Sequence, residues 1–263
     1  MTWHAALAIL SGCAIGLSLG VTGGGGSLLA IPLLVYVLGT TVRDATAMSL
    51  LIVGVSALLG VWEYGRAGEV RGKAALVFSG TGAVGAWAGA YAHQLVREEV
   101  LLVLFGVLML GAAAKMLQWK PPAAAEAADG SCAYRFPRTC WIKVSGLGAL
   151  VGLMTGFFGV GGGFVIVPAL VLILKFPMRL AVGTSLLIIA LISAGGLVGH
   201  LQFGRFDGRL AMLVMAGSMA GILLGARLGR AVSPDRMTKV FAFVTIGVAM
   251  PLILHNAIRL GWH

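Results

Sequence analysis

The sequence predicts an all-α, polytopic helical membrane protein: two inverted repeats, each with a glycine-broken, re-entrant first segment followed by three transmembrane helices. Three observations predict it. Of 263 residues, 59% are hydrophobic and only 11% charged, a mixture that water-soluble domains do not use. Apolar stretches near 44–62, 74–95, 100–118, 180–199, 210–229 and 237–254 approach the roughly 20 residues that a helix needs to cross a bilayer. The second half of the chain also repeats the first.

The repeat appears when the sequence is slid by 136 positions. "GLSLGVTGGGGSLLAIP" from Gly16 then lies on "GLMTGFFGVGGGFVIVP" from Gly152, with seven of seventeen positions identical. In the same register Arg43 meets Arg179, Ala45 meets Ala181, Ser49 meets Ser185, and Gly85 and Gly89 meet Gly221 and Gly225. Many secondary transporters are built from such doubled units. The copies occupy residues 1–118 and 141–263. Residues 119–140, with a Pro pair and small polar residues, read as a cytoplasmic linker.

The first segment of each copy is too long for one crossing. Residues 5–38 as a single helix would measure about 50 Å, against a hydrocarbon core of about 30 Å. Four successive glycines, Gly23 to Gly26, interrupt it, since each costs about 1 kcal/mol relative to Ala inside a helix. The first limb is expected to end near Gly20 or Gly23. The second limbs are expected to begin near Ser27 and Phe164, with Pro32 and Pro168 marking an early turn or a kink.

Charge chooses between two topologies. If each long segment crosses once, alternate connectors hold 11 and 8 Lys plus Arg, which hardly differ. If each folds back at its glycines, one side holds Arg43, Arg97, Arg205, Arg209 and Arg259, and the other holds the remaining 14. Cytoplasmic connectors carry the excess of Lys and Arg, so the fold-back is expected, with both termini outside and the linker inside. The formal charge of +10 is then an orientation signal, and no nucleic-acid partner is expected.

Irregular backbone at membrane depth is tolerated where protein or a water-filled cavity satisfies it. Both glycine turns should therefore line a cavity. The N–H groups that open a new helix, with its dipole, favour an anion, and glycines let a ligand approach the backbone closely. The candidate substrate-binding residues are Thr22, Gly23, Gly24, Gly25, Gly26 and Ser27 in the first copy. In the second they are Gly159, Gly161, Gly162 and Gly163. Ser49, Thr184 and Ser185 follow the breaks, where their hydroxyls either donate to an oxyanion or bond a carbonyl one turn back. Spaced glycines such as Gly16/Gly20, Gly85/Gly89 and Gly221/Gly225/Gly229 read instead as helix packing.

No catalytic set, cofactor site or metal pattern is expected, and no enzyme: Cys132 and Cys140 read as unpaired thiols, and no nucleophile or acid cluster lies in a span. The carboxylates Asp44, Glu63, Glu69, Glu98, Glu99 and Asp207 fall in or beside connectors, so none marks a mid-span ion relay.

The doubled G-x-x-x-G-x-x-G-x-G-G, each copy followed by a proline and an A-x-x-x-S element, resembles the sulfite exporter TauE/SafE family, also called the TSUP or 4-toluene sulfonate uptake permease family. The resemblance covers nearly the whole chain. It implies a multi-pass carrier of the bacterial or archaeal inner membrane for a small sulfur-containing or organic anion such as sulfite, thiosulfate or a sulfonate. An anion channel and a permease for a non-sulfur carboxylate are the alternatives. The partners expected are the anion, the lipid bilayer and a coupling ion, proton or sodium; a homo-oligomer is compatible with the reading. The family pattern G-x-G-G-G is kept at Gly159 to Gly163, whereas the first copy has Ser27 in place of its last glycine.

Overall fold

The computed structural model describes residues 2–93, 98–118, 138–158, 163–200 and 208–261. These residues are helical apart from short connectors. In order the helices are α1 (Thr2–Thr22), α2 (Gly25–Pro32), α3 (Val42–Arg66), α4 (Gly72–His93), α5 (Glu98–Gln118), α6 (Arg138–Phe158), α7 (Gly163–Pro168), α8 (Met178–His200), α9 (Gly208–Ala231) and α10 (Pro234–Gly261). Short π-helical stretches, Leu33–Val37 and Ala169–Ile173, continue α2 and α7 directly after their prolines. A proline has no N–H for the helical ladder, and the wider turn appears at the same place in both copies.

Among the described residues five segments are long and apolar enough to cross a membrane: Trp3–Thr22, Asp44–Arg66, Cys140–Phe157, Met178–Gly195 and Gly208–Ala231. Their outward faces carry large apolar side chains, among them Leu10, Leu58, Trp62, Ile142, Met212 and Leu224, as lipid contact requires. Cys140 is disulfide-bonded, contrary to the free thiol expected, while Cys13 is free.

The first segment does fold back. Gly26 packs against Leu19 and the carbonyl of Ile15, so α2 returns along α1. The two limbs are unequal, however. With 21 residues, α1 is about 30 Å long and crosses fully, whereas only the return limb is short. Leucine, isoleucine and alanine fill α1 up to Thr22, and nothing before the glycine run stops the helix.

The helices pair across the two copies. α1 packs mainly on α9, α4 on α6, α3 on α8 and α5 on α10, and α2 meets α7. Exchanging the copies leaves this set of pairs unchanged. Glycines permit the tightest of them: a β-carbon on Gly12, Gly16 or Gly20 would stand 2.0, 2.0 or 2.7 Å from the carbonyl oxygens of Val214, Ser218 or Ile222. Gly217, Gly221 and Gly225 approach the carbonyls of Ile9, Cys13 and Leu17 in return. The register shows that α1 and α9 run in the same direction. Gly85 and Gly89 on Ala149 and Leu153, with Gly152 and Gly156 on Gly82 and Ala86, repeat the arrangement between α4 and α6. Between helices in lipid, where apolar burial gives little drive, such backbone proximity and its van der Waals contact supply the association.

The equivalent helices α3 and α8 cross in opposite directions, Gly54 meeting Ser193 and Gly60 meeting Leu186. Ser56 and Ser218 join hydroxyls at 2.8 Å, and the buried Tyr64 donates to the carbonyl of Gly20 at 2.8 Å. At this end of the bundle Arg230 pairs with Glu63, and the Arg71 amide donates to Thr184 at 3.1 Å. Connectors near residues 66–73, 175–179 and 230–233 thus gather at one end. Single crossings would have put the first of them opposite the other two.

Candidate functional site

The tip of the first hairpin is built from its own side chains. Thr22 Oγ1 donates to the Ser18 carbonyl at 2.6 Å and accepts the Gly25 N–H at 2.8 Å, closing α1 and opening α2 with one hydroxyl. Gly23 has φ +72°, a left-handed turn that side chains resist, and its N–H returns to the Leu19 carbonyl at 2.7 Å. Ser185 Oγ, from α8, lies 2.8 Å from the carbonyl oxygens of both Gly23 and Val182. Beyond it, Gly24 abuts the start of α7: a β-carbon there would stand 2.3 Å from the Gly163 carbonyl oxygen and 3.0 Å from the Phe164 Cα.

Beside this contact lies a cavity of about 50 Å³, lined from α2 by Ser27 and Ile31 and from α3 by Ser49, Leu50 and Val53. Gly163 and Ile166 of α7 and Ile189, Ile192 and Ser193 of α8 complete it. The short helices α2 and α7 and the helices that follow them, α3 and α8, therefore contribute in matching pairs: Ser27 and Gly163 occupy equivalent positions, as do Val53 and Ile189. A β-carbon on Gly163 would come within 2.7 Å of Ser27 Oγ, so the serine of one copy fills the room that the glycine of the other leaves. Three hydroxyls reach an otherwise apolar lining that holds no ionised group. Ser27 Oγ donates to the Gly24 carbonyl at 2.7 Å and Ser49 Oγ to the Thr46 carbonyl at 2.8 Å, leaving their oxygen lone pairs, and on reorientation their protons, for a ligand.

Of the sequence-predicted residues, Ser27, Ser49 and Gly163 line this cavity. Thr22, Gly23, Gly24, Gly25 and Gly26 form the adjoining tip, with Gly25 seated on Ser18 Oγ and Thr22 Oγ1. Thr184 and Ser185 act as fasteners, holding the Arg71 amide and the Gly23 carbonyl. Gly159, Gly161 and Gly162 lie outside the described residues. Ser193 was missed. The signal that finds it is helical spacing: Ser185, Ile189, Ile192 and Ser193 recur at i, i+4, i+7 and i+8 on one face of α8. Among the described residues no group of His, Cys, Asp or Glu is placed to hold a metal ion.

A hairpin tip meeting the start of α7 inside a bundle of apolar, glycine-packed helices defines a multi-pass membrane protein with a largely apolar, hydroxyl-bearing cavity at the junction of its copies. The chain belongs to the sulfite exporter TauE/SafE family, whose profile matches residues 8–252. It is 35% identical over 249 residues to a probable membrane transporter protein of Xylella fastidiosa strain Temecula1, covering 92% of each chain. It is 28% identical to the probable membrane transporter protein YdhB of Bacillus subtilis, covering 91% of this chain and 96% of that one. The probable membrane transporter protein MJ0441 of Methanocaldococcus jannaschii is 24% identical, with 88% of each chain covered. No solved structure matches. The protein is accordingly a membrane transporter, not an enzyme.

Proposed function

We propose that the protein is a secondary transporter for a small sulfur-containing or organic anion of the sulfite, thiosulfate or sulfonate class, bound where the first hairpin tip meets the start of α7. The observation that carries this reading is the contact of Gly24 with Gly163 beside a cavity bearing the hydroxyls of Ser27, Ser49 and Ser193. An oxyanion there would receive hydroxyl donors, together with the positive end of the α2 dipole. The apolar remainder of the lining strengthens each of these contacts by keeping water away.

The two copies are inverted in this reading, supported by the antiparallel crossing of the equivalent helices α3 and α8. They rock about the hairpin contact to expose the cavity to each side in turn. The end bearing Arg66, Arg71, Arg179 and Arg230 faces the cytoplasm by the positive-inside rule.

The test is counterflow in proteoliposomes loaded with sulfite, thiosulfate, an alkyl sulfonate or acetate. Exchange of a sulfur oxyanion above that of acetate is expected, and acetate preferred over all three would overturn the substrate class. Accumulation against a concentration gradient separates a carrier from a channel.

A further inference from the structure

The turn between α3 and α4 is tied to the hairpin tip through three consecutive residues of α8. A β-carbon on Gly183 would lie 2.1 Å from the Glu69 carbonyl oxygen, so the turn rests directly on the α8 backbone. Thr184 holds the Arg71 amide, and Ser185 holds the Gly23 carbonyl. Movement of the turn away from α8 therefore loosens the helix turn that secures the tip.

Glu69 lies in the middle of that turn, and its carboxyl is an anomaly. Its Oε2 is buried without a hydrogen-bond partner, although two arginines are near enough to act on it electrostatically. Neither donates to it: Arg230 pairs with Glu63, and Arg179 donates through Nη2 to the carbonyls of Arg230 and Val232 at 2.7 and 3.3 Å, its own Nε buried and likewise without a partner. The titratable and charged groups on the surrounding elements are Glu63, Tyr64 and Arg66 on α3, Arg71 and Lys73 after the turn, Arg179 on α8 and Arg230 on α9. Asp235 and Arg236 open α10 beyond Val232. The second copy has Arg205 at the position equivalent to Glu69, so only one copy carries this carboxyl.

We propose that Glu69 couples proton binding to release of the first hairpin, the protonated carboxyl staying buried with the turn docked on α8 and the ionised carboxylate drawing the turn into water. This rests on the transporter reading of the hairpins. One proton is taken from the aqueous phase when the turn docks and is returned to water when it leaves. The sign follows from burial, which pushes the Glu69 carboxyl above its ordinary value, with Arg179 and Arg230 partly opposing it. A group that holds its proton more tightly when docked favours docking at low pH. That preference is lost as pH rises through the docked-state value. An unpartnered buried oxygen acts in the same direction, since it costs far more as a carboxylate than as a neutral acid.

The test is amide hydrogen exchange over residues 66–75 in lipid nanodiscs from about pH 5 to about pH 8, a range above the ordinary carboxylate value, corrected for intrinsic exchange. Protection in the native sequence should fall with rising pH, by up to about tenfold per pH unit for one proton. Glu69→Gln should stay protected and lose this response, while Glu63→Gln should keep it. A Glu69→Gln protein that responds to pH as the native one does would overturn the proposal, as would loss of the response in Glu63→Gln alone. In proteoliposomes Glu69→Gln should retain sulfite or thiosulfate counterflow yet lose accumulation driven by a pH gradient. Undiminished pH-driven accumulation would also overturn it. Failure of the native protein to move either anion would count against the substrate class proposed above, and leaves the exchange experiment decisive for Glu69.

Discussion

Gly24 at the tip of the first hairpin lies so close to Gly163 at the start of α7 that a single β-carbon on Gly24 would stand 2.3 Å from the Gly163 carbonyl oxygen. The obstacle is backbone, which cannot rotate aside as a flexible side chain does. Gly24→Ala should therefore push the tips apart and cost about 1–3 kcal/mol of stability, the range for overpacking. Counterflow should drop at least about tenfold, because the proposed anion site lies between α2 and α7 and depends on their spacing. Near-native counterflow with unchanged melting temperature would show that the tips are not in contact in the working protein.

Ser193 and Ser185 stand on one face of α8 but should fail differently. Ser193→Ala removes a cavity hydroxyl and should raise the KM for the transported anion about 2- to 10-fold, the effect of one net hydrogen bond, with little change in melting temperature. Ser185→Ala removes the fastener of the Gly23 carbonyl and should lower stability by about 1 kcal/mol. Paired measurements of KM and thermal unfolding check both, and the same phenotype in the two variants would deny the division of roles.

Tyr64 caps α1 from another helix. The last carbonyls of a helix lack partners within it, and Tyr64 Oη supplies one to Gly20 at 2.8 Å. Tyr64→Phe leaves that buried acceptor unpaired, at an expected cost of about 1–3 kcal/mol. Chemical denaturation in detergent measures it; a loss within error would mean that water replaces the phenol.

The hydroxyls of Ser56 and Ser218 form a closed pair between α3 and α9 at 2.8 Å. A double-mutant cycle with alanine should give a coupling energy near 0.6 kcal/mol, the average for polar contacts between helices in lipid. Additive single losses would indicate that each serine finds another partner.

Much of this architecture is written in the 136-residue offset and the glycine runs, because a broken helix and a close helix contact both require the absence of a side chain. Thr22, Ser27 and Ser49 were recognisable for a local reason: a hydroxyl one turn from a break either caps it or faces the opening. What local reading does not contain is which helix of the other copy lies opposite. The first break falls where the glycines put it, with α1 ending at Thr22 and α2 starting at Gly25, but the position of a stop does not say that the limb before it is a full crossing and the limb after it short. Thr184 and Ser185 look alike in sequence to Ser49, yet the α3–α4 turn and the first tip pack on them and take up their hydroxyls. Ser193 needed a helical face already anchored by Ser185.

The reciprocal glycine contacts between α1 and α9 bear on how the molecule is made. Membrane chains are synthesised from the N-terminus, and segments generally fold in that order. The groove that receives α1 belongs to a helix beginning at Gly208, which is made after the whole first copy. The first copy must therefore wait in the bilayer with its glycine stripe facing lipid, held open until its mate arrives. Maturation of the first hairpin is thus a late event, completed by a helix of the second copy.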